Sequence, residues 1–450
     1  MKKQRILLLF IVLLFMGCKD DTPIVEPKPV QKLDNPEVSL KWADLTLQVA
    51  RFTPGNTPTF GSRSFGYIGL TMYESLVQGT TSHQTLAPQL GGALLLPKVE
   101  TGKDYNWVLS LNAGQSFIIK NIYGQILDSY RKKVDSLEAA ILTEYSKNVS
   151  NEVIDRSVLY GQEVAKAIFE WSKSDGGHEA YRKNGYPDYV LPTSPGSWTK
   201  PTFSQAASPN PLHPYWGQNR VFVTPNSQLP IPTPLAYSAD NTSQYYAQFL
   251  EVYAKNKTLT VAEKETALWW SDDPSQTFTP PGHSYSLATI AIRTAKTDLP
   301  KAVETFARVG MAIADAFVNC WKAKYTYHVQ RPASYVNANI DPQFKQFWPE
   351  PPFPAFYSGH AVQGAACATV LTDLYGDNFK FIDNSHENRP PDPLTLVLFK
   401  NRSYNSFWEA AEESAYSRFL GGIHTRHDNE TGLVEGRKIG RNVNNLKWKK

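Results

Sequence analysis

Three short segments in the second half of the chain contain residue types that could bind and act on an anion. The first begins at Lys324, which is followed seven residues later by Arg331. On a continuous helix this spacing is about two turns and places both cations on one face. Pro332 restricts the backbone of Arg331 and predicts the end of that helix, which frees the guanidinium to enter a pocket. A solvated helix face has the same pattern, so this segment needs partners elsewhere.

The second segment is Ser358-Gly359-His360, which leads directly into a helix-forming sequence that starts at Ala361. Ser358 is a favourable N-cap residue, and a helix N-terminus presents free backbone N–H groups and a positive dipole end. Gly359 has no Cβ, so an oxyanion can approach this end closely. His360 then lies beside the anion, where an imidazole can act as an acid or a base.

The third segment contains Arg418, His424 and Asp428. Arg418 and His424 are six residues apart, so both can face one ligand only if the helix breaks between them. Gly421-Gly422 predicts that break. On the next helix, Asp428 lies four residues after His424 and can accept from one ring nitrogen while the other stays basic. A surface His–Asp pair is the alternative that this spacing leaves open.

Together the segments provide the groups that bind a multiply charged tetrahedral anion. Three cations neutralise it through charge-assisted hydrogen bonds, and the Ser358 hydroxyl and the Gly359 N–H add neutral donors. The cations are Lys324, Arg331 and Arg418. His424 is then placed to attack or coordinate the central atom.

The order of the motifs Lys-x6-Arg-Pro, Ser-Gly-His and Ser-Arg-x3-Gly-x-His-x3-Asp resembles the superfamily that unites type 2 phosphatidic acid phosphatases, bacterial acid phosphatases and vanadium haloperoxidases. For a phosphatase the resemblance implies that His424 forms a phosphohistidine and that His360 protonates the leaving group. For a haloperoxidase it implies that His424 is the axial ligand of vanadate and that His360 helps hydrogen peroxide to bind. The sequence departs from many members at Tyr357, where they have proline.

Further positions favour the haloperoxidase branch. Trp321 and Phe353 match aromatic residues of fungal chloroperoxidase-like sequences, which implies that both line the vanadate pocket. The block Trp269–Asp273 also resembles that branch, which implies that Asp273 pairs with Arg418. The alternatives are that the two aromatic residues belong to the core and that Asp273 caps or solvates a helix end. His283 lies near these motifs but is assigned no role.

The resemblance therefore implies a vanadate-dependent enzyme that oxidises a halide with hydrogen peroxide. The first alternative is a surface acid phosphatase, which acts on a phosphate ester and needs no cofactor. The second is a non-catalytic oxyanion-binding lipoprotein. The net charge is only +4 without a basic stripe, so nucleic acid is not an expected partner.

Along much of the chain apolar side chains recur at spacings of three and four, which indicates amphipathic helices. Helices are therefore expected to position the residues named above. The pattern indicates an all-α fold of two packed helical bundles, with a haloperoxidase- or acid-phosphatase-like catalytic bundle in the C-terminal half. Residues 39–235 form the N-terminal helical region with a long loop, and residues 236–450 form the catalytic domain. The predicted helices span Leu45–Leu76, Ser116–Leu127, Val134–Tyr145, Val153–Trp171, Ser243–Trp270, Ala302–Tyr325, His360–Tyr375 and Phe407–Leu420.

The N-terminus has the pattern of a secreted lipoprotein. Basic residues precede the apolar run Ile6–Phe15, and Met16-Gly17-Cys18 resembles a bacterial lipobox. This implies that residues 1–17 are a signal peptide and that Cys18 is lipidated and attaches the chain to the outer membrane. Lys19-Asp20-Asp21 resembles the surface-export signal of Bacteroidetes lipoproteins. Residues 18–38, which are rich in proline, are predicted to be an extended tether.

Overall fold

The computed structural model describes residues 31–206, 208–393 and 395–450. In these ranges the regular structure consists of fourteen α-helices, three short 3₁₀ turns and one small antiparallel pair of strands. The helices are α1 (Glu37–Phe52), α2 (Pro58–Val77), α3 (Trp107–Ile122), α4 (Asp128–Tyr145), α5 (Asn151–Ser172), α6 (Thr224–Ser227), α7 (Gln244–Lys257), α8 (Val261–Trp269), α9 (Thr279–Ala295), α10 (Leu299–Tyr327), α11 (Pro332–Asn339), α12 (Gly359–Tyr375), α13 (Phe407–Leu420) and α14 (Arg426–Asn444). Strands β1 (Phe381–Asp383) and β2 (Arg402–Tyr404) pair with Phe381 opposite Tyr404. The expected helical fold is confirmed.

Helix α10 lies at the centre of the core. Its 29 residues are buried along most of their length, and it packs against α2 on one side and α12 on another. Gly310 allows the contact with α2, because a Cβ there would lie 2.4 Å from the Phe65 carbonyl oxygen. Helices from both halves of the sequence therefore share one core within the compact unit Leu33–Lys450.

Helices α12 and α14 pack closely through small residues, which brings their N-terminal ends together. Gly432, Gly436 and Gly440 are spaced by four and share one face of α14. A Cβ at Gly436 would lie 2.2 Å from the Val362 carbonyl oxygen of α12. This close approach places the turn before α14 beside the start of α12, and these are the two places where the predicted histidines lie.

Two of the predicted helices are each divided in the structure. The predicted helix Leu45–Leu76 is wrong as a single element, because Pro54 and Gly55 separate α1 from α2 and Gly55 has a φ of +73°. The predicted helix Ser243–Trp270 is also divided, at the Thr260 capping box that begins α8.

The helical pattern did not predict α9 or α11. Both have proline in the first turn, where it is well tolerated because its missing N–H is not needed there. The same prolines interrupt the apolar spacing that indicates a helix. Helix α9 carries His283, and α11 begins directly after Arg331. The prediction of the site therefore lacked the helices that position these two residues.

The predicted anchor falls mostly outside the described ranges. The signal peptide of residues 1–17, Cys18 and the tether up to residue 30 belong to the part of the chain that the structure does not describe. Helix α1 begins at Glu37, slightly before the end of the predicted tether. Among the described residues, no helix combines the length and the apolar composition that crossing a membrane requires.

Candidate active site

His424 lies just before α14, with its ring fixed by the start of that helix. Thr425 is the N-cap, and it forms a capping box with Asp428. The Asp428 carboxylate also accepts from His424 Nδ1 at 3.1 Å. The prediction that His424 and Asp428 share a helix is therefore wrong, because His424 precedes the N-cap. Asp428 nevertheless fixes Nδ1 as the donor, so that Nε2 carries the lone pair.

Arg331 is the buried N-cap residue of α11 and not part of the helix that carries Lys324, which ends at Tyr327. The prediction that these two cations share one helix face is wrong for this reason. The Arg331 guanidinium donates hydrogen bonds to residues on two loops. Nη1 donates to Ile423 O at 2.8 Å and to His424 Nε2 at 3.1 Å, and Nε and Nη2 donate to Phe353 O at 3.1 Å and 3.0 Å. Arg331 thus connects the loops on both sides of the site.

Lys324 holds the loop that leads into α12. Its ammonium donates to the carbonyl oxygens of Pro354, Ala355 and Tyr357 at 2.9, 2.7 and 2.8 Å. Burial lowers the pKa of Lys324 to about 7. Three carbonyl oxygens thus accept from the fully buried ammonium. Direct contact of Lys324 or Arg331 with an anion stays a prediction.

The start of α12 follows the predicted geometry of an N-cap. The backbone N–H of Ala361 donates to Ser358 Oγ at 3.5 Å, and Ser358 is fully buried. Gly359 and His360 follow and both border the cavity described below. His360 Nε2 is buried, and no hydrogen-bond partner for it lies in the described parts of the chain. Burial, and then the charge of Arg418, holds the pKa of His360 well below its usual value, so this imidazole is neutral.

Arg418 presents one free edge of its guanidinium. Nε donates to Ser417 Oγ at 3.0 Å and Nη2 to Ala267 O at 2.8 Å, whereas Nη1 is buried with no acceptor among the residues the structure describes. Within those same ranges no ion pair shorter than 4.0 Å joins Arg418 to Asp273, so the implied pair is not a direct contact here. Burial raises the pKa of Asp273 to about 7, although the nearby charge of Arg418 opposes this rise.

A cavity of about 990 Å³ brings the free groups together. Gly359, His360, Arg418 and His424 border it, and so do Asp273, Trp321 and Phe353. The ring centroids of Trp321 and Phe353 lie 4.7 Å apart. The structure therefore assembles part of the predicted set around one space, whereas Lys324, Arg331 and Ser358 lie behind the wall.

The free groups on this wall suit a tetrahedral oxyanion such as vanadate or phosphate. Arg418 Nη1 is an unpaired cationic donor, and His360 Nε2 is an unpaired buried nitrogen. Burial, followed by the charges of Arg331 and Lys324, holds the pKa of His424 well below its usual value. His424 is therefore neutral, with a lone pair on Nε2 that a central atom could use in place of the Arg331 N–H.

A further buried histidine, His283, contacts Asp272, which borders the cavity, and the sequence analysis assigned it no role. His283 Nδ1 lies 2.8 Å from Asp272 Oδ2, and Nε2 lies 2.7 Å from Asp383 Oδ2. Burial lowers the pKa of His283, but the two carboxylates outweigh it and raise the pKa to about 10. In turn, the charge of His283 lowers the pKa of Asp383 to about 2 against the effect of burial. His283 is thus a buried cation.

His386 completes this second cluster. Its Nε2 donates to Trp269 O at 2.8 Å and lies 3.3 Å from Asp272 Oδ1. Ligand atoms of Asp272, His283 and His386 lie within 4.8 Å of one another, a spacing that a metal ion could use, but hydrogen bonds already occupy both nitrogens of His283. No local spacing could have revealed this cluster, because its members come from separate segments around residues 272, 283 and 383–386.

The fold is helical, and the site combines buried cations with buried histidines, which is the chemistry of an enzyme class that binds a tetrahedral oxyanion. Comparison with known proteins narrows the class. Residues 304–448 match the model of the VCPO second helical-bundle domain. The crystal structure of a bacterial vanadium-dependent iodoperoxidase is 30% identical with a TM-score of 0.79, and the match covers 94% of this chain and 98% of that one.

Two further relatives agree. The vanadium chloroperoxidase of Curvularia inaequalis is 24% identical over 508 residues, which cover 90% of this chain and 82% of the fungal protein. An apo-type bacterial vanadium-dependent chloroperoxidase shares the fold, with 14% identity, a TM-score of 0.64 and coverage of 88% of this chain and 94% of that one. The chain belongs to the vanadium-dependent haloperoxidase family.

Proposed function

We propose that this protein binds vanadate and uses hydrogen peroxide to oxidise a halide. The observation that carries the proposal is the cavity wall, where an unpaired Arg418 N–H, an unpaired His360 nitrogen and the neutral His424 meet beside Gly359. An oxyanion there gains a charge-assisted hydrogen bond in a buried setting. Family membership supports vanadate as that oxyanion.

Bound vanadate would supply a Lewis-acidic centre that activates hydrogen peroxide. His424 would hold it through Nε2, because Asp428 fixes the tautomer from the other side of the ring. Arg418 would neutralise one of its oxygens, and the Gly359 N–H at the first turn of α12 would donate to another. Hydrogen bonds to neighbouring residues already position His424 and Arg418, so little reorganisation is needed.

His360 would handle the proton of hydrogen peroxide. Its neutral imidazole has a free buried nitrogen that faces no protein partner in the described ranges, and a general base needs this state. Lys324 and Arg331 would act from behind the wall, where they keep the Phe353–Tyr357 loop and the His424 ring in place. Their positive charge also favours an anion at the site.

A paired assay tests the proposal on the full chain. Iodide, bromide and chloride oxidation is measured with hydrogen peroxide with and without vanadate, and p-nitrophenyl phosphate hydrolysis is measured without vanadate. We expect vanadate-dependent oxidation, with iodide the fastest because it is the most easily oxidised of the three. Phosphate hydrolysis that vanadate inhibits, together with no halide oxidation, would contradict the proposal and assign a phosphatase activity to the site.

Two variants separate binding from turnover. In His360→Ala, vanadate binding should persist while halide oxidation is lost, because this residue acts on the peroxide proton. In Arg418→Ala, vanadate affinity should fall by roughly 10- to 100-fold, because a buried charge-assisted hydrogen bond disappears. Full activity of His360→Ala would remove it from the proposed role, and an unchanged affinity of Arg418→Ala would remove Arg418 from the anion site.

We also propose that the protein is a lipoprotein of the outer membrane, exposed at the cell surface. The lipobox-like Met16-Gly17-Cys18 and the following Lys19-Asp20-Asp21 support this location. Labelling with a radioactive fatty acid should mark the wild-type chain but not Cys18→Ala. Protease added to intact cells should digest the wild-type protein, and protection from it would place the chain on the periplasmic face.

A further inference from the structure

Glu350 is a buried acidic residue that the proposed mechanism does not use. It is only 3% exposed, and its Oε1 atom has no hydrogen-bond partner in the ranges the structure describes. A buried carboxyl group with an oxygen that lacks such a partner lowers stability. The position of Glu350 therefore needs an explanation in the charges that surround it.

The backbone of Glu350 joins two segments that border the cavity. Its N–H donates to Phe203 O, and its carbonyl oxygen accepts from Gln205 N, each at 2.9 Å. Pro349 and Pro351, on either side of it, border the cavity, whereas Glu350 does not. Successive side chains of an extended segment point to opposite sides. The Glu350 side chain is therefore directed away from the cavity, behind its wall.

The Glu350 carboxyl group lies near the start of α11. Burial raises the pKa of Glu350 to about 7, whereas the charge of Arg331 and then the backbone N–H of Ala333 oppose this rise. Both of these residues belong to the start of α11, because Arg331 is the N-cap and Ala333 lies in the first turn. The positive end of the helix dipole also favours a negative charge at this place.

Arg331 in turn depends on Glu350 for its charge. Burial lowers the pKa of Arg331 to about 10, and of the groups that oppose this change Glu350 has the largest effect, ahead of Asp428. Arg331 donates its hydrogen bonds to His424 and to backbone carbonyl oxygens. Glu350 therefore acts on Arg331 through its charge and not through a shared hydrogen bond.

The charge of Glu350 has two opposite effects on the site. A buried cation such as Arg331 is strongly unfavourable without a nearby negative charge. The oxyanion of the proposed function would supply one from the cavity side, and Glu350 supplies one from behind the wall whether or not an oxyanion is bound. The same carboxylate repels the oxyanion through the interior of the protein, where charges are poorly screened. Glu350 thus supports Arg331 and weakens the binding of the anion.

We propose that Glu350 is a positioning residue of the vanadate site, whose carboxylate is the fixed counter-charge that keeps Arg331 in place beside His424 before the oxyanion binds. The inference rests on the proposed function, because it concerns the same anion site. It explains the unpaired oxygen of Glu350, since the group acts by its charge on a neighbour that hydrogen-bonds elsewhere. A weaker hold on vanadate then accompanies a wall that is already assembled.

The variant Glu350→Gln tests this role, because it keeps the size of the side chain and removes its charge. The dissociation constant of vanadate is measured calorimetrically on the full chain at about pH 8.5, where the carboxyl group of the wild type is ionised. We expect binding to be about three- to tenfold tighter in the variant. Without vanadate the variant should melt about 2–4 °C lower than the wild type, and saturating vanadate should remove this difference.

The pH dependence separates a charge from a structural contact. The ratio of the wild-type dissociation constant to that of Glu350→Gln should fall towards one as the pH is lowered from about 8.5 to about 5.5, because the wild-type carboxyl group becomes neutral. The ionisation of vanadate itself affects both proteins equally and cancels in the ratio. A ratio that is independent of pH would contradict the role of the charge.

Glu74→Gln is the matched control. Glu74 is 1% exposed, burial raises its pKa to about 7, and its carboxylate accepts from Leu86 N at 2.8 Å, but it does not border the cavity. This variant should bind vanadate as the wild type does. Equal or weaker vanadate binding in Glu350→Gln, or the same gain in Glu74→Gln, would overturn the inference.

Two further outcomes are also decisive. If Glu350→Gln folds only when vanadate is present, the inference is supported, because the bound oxyanion then replaces the missing charge. Failure to fold under both conditions would overturn it. Absence of vanadate binding in the wild type would refute the proposed function, whereas wild-type binding with an unchanged affinity in Glu350→Gln would refute the role of Glu350 alone.

Discussion

Two buried histidines, each hydrogen-bonded to a carboxylate, differ in charge: His424 is neutral, whereas His283 is a cation. His424 contacts Asp428 but also accepts from Arg331, and its pKa lies well below the usual value. His283 lies between Asp272 and Asp383, and its pKa is raised to about 10. Burial opposes the charged form of both. The comparison shows that the remaining neighbours, cations in one case and a second carboxylate in the other, decide whether a buried His–Asp pair is neutral or ionic.

The largest expected effect is on the neutral member. His424→Ala should lower vanadate-dependent iodide oxidation by at least about a hundredfold, because the histidine nitrogen proposed to hold the cofactor is lost. The rate is measured as triiodide formation at saturating vanadate. His178→Ala is the control, since His178 does not border the cavity. Similar losses in both variants would mean that His424 has no special role.

The charged member should matter for stability. His283→Gln leaves two buried carboxylates without their cation and should lower the free energy of unfolding by about 3–5 kcal/mol, measured by urea denaturation. His386→Gln is the matched control, because His386 donates to a backbone carbonyl and lies 3.3 Å from only one carboxylate. We expect a smaller loss of about 1–2 kcal/mol there. Equal losses would contradict a charge on His283.

The pH dependence sharpens the same contrast. The pKa of His283 is raised from 6.5 to about 10 on folding, so its stabilising effect is complete below pH 6.5 and is lost as the pH rises to about 10. The difference in unfolding free energy between wild type and His283→Gln should therefore shrink across this window. A difference that stays constant from pH 6.5 to 10 would show that His283 is not a cation.

A smaller effect is expected at the carboxylate of the neutral pair. Asp428→Asn keeps an oxygen that can accept from His424 Nδ1 but removes its charge. The vanadate concentration for half-maximal activity should rise roughly 10- to 100-fold, as is usual when a hydrogen-bond partner of a metal-binding histidine is changed. Unchanged vanadate dependence would show that the Asp428 charge does not tune His424.

The sequence predicted local features of the candidate site better than its long-range contacts. Ser358 as an N-cap and the chain break at Gly421-Gly422 follow from local rules, and α12 begins and α13 ends where those rules place them. These features depend on residues within a few positions of each other, where caps and glycine conformations act.

The predictions were wrong or incomplete where contacts between residues distant in sequence determine the position or the charge of a side chain. The carbonyl oxygens that accept from the Lys324 ammonium belong to residues 30 to 33 positions later in the chain. No local spacing encodes these contacts. The ion cluster of Asp272 and His283 is completed by Asp383 of β1, which lies 100 residues after His283 in the sequence. Charge states of buried groups depend on such distant neighbours, so the sequence alone left His283 without a role.

The hydrogen bonds of Arg331 also have a consequence for when the cofactor can be loaded. This one guanidinium joins carbonyls that lie 22 and 92 residues further along the chain. During synthesis, a ribosome must therefore release nearly the whole polypeptide before the two loops can meet. Vanadate has no completed pocket in the nascent chain, and its incorporation must follow synthesis, in the compartment where the finished protein folds.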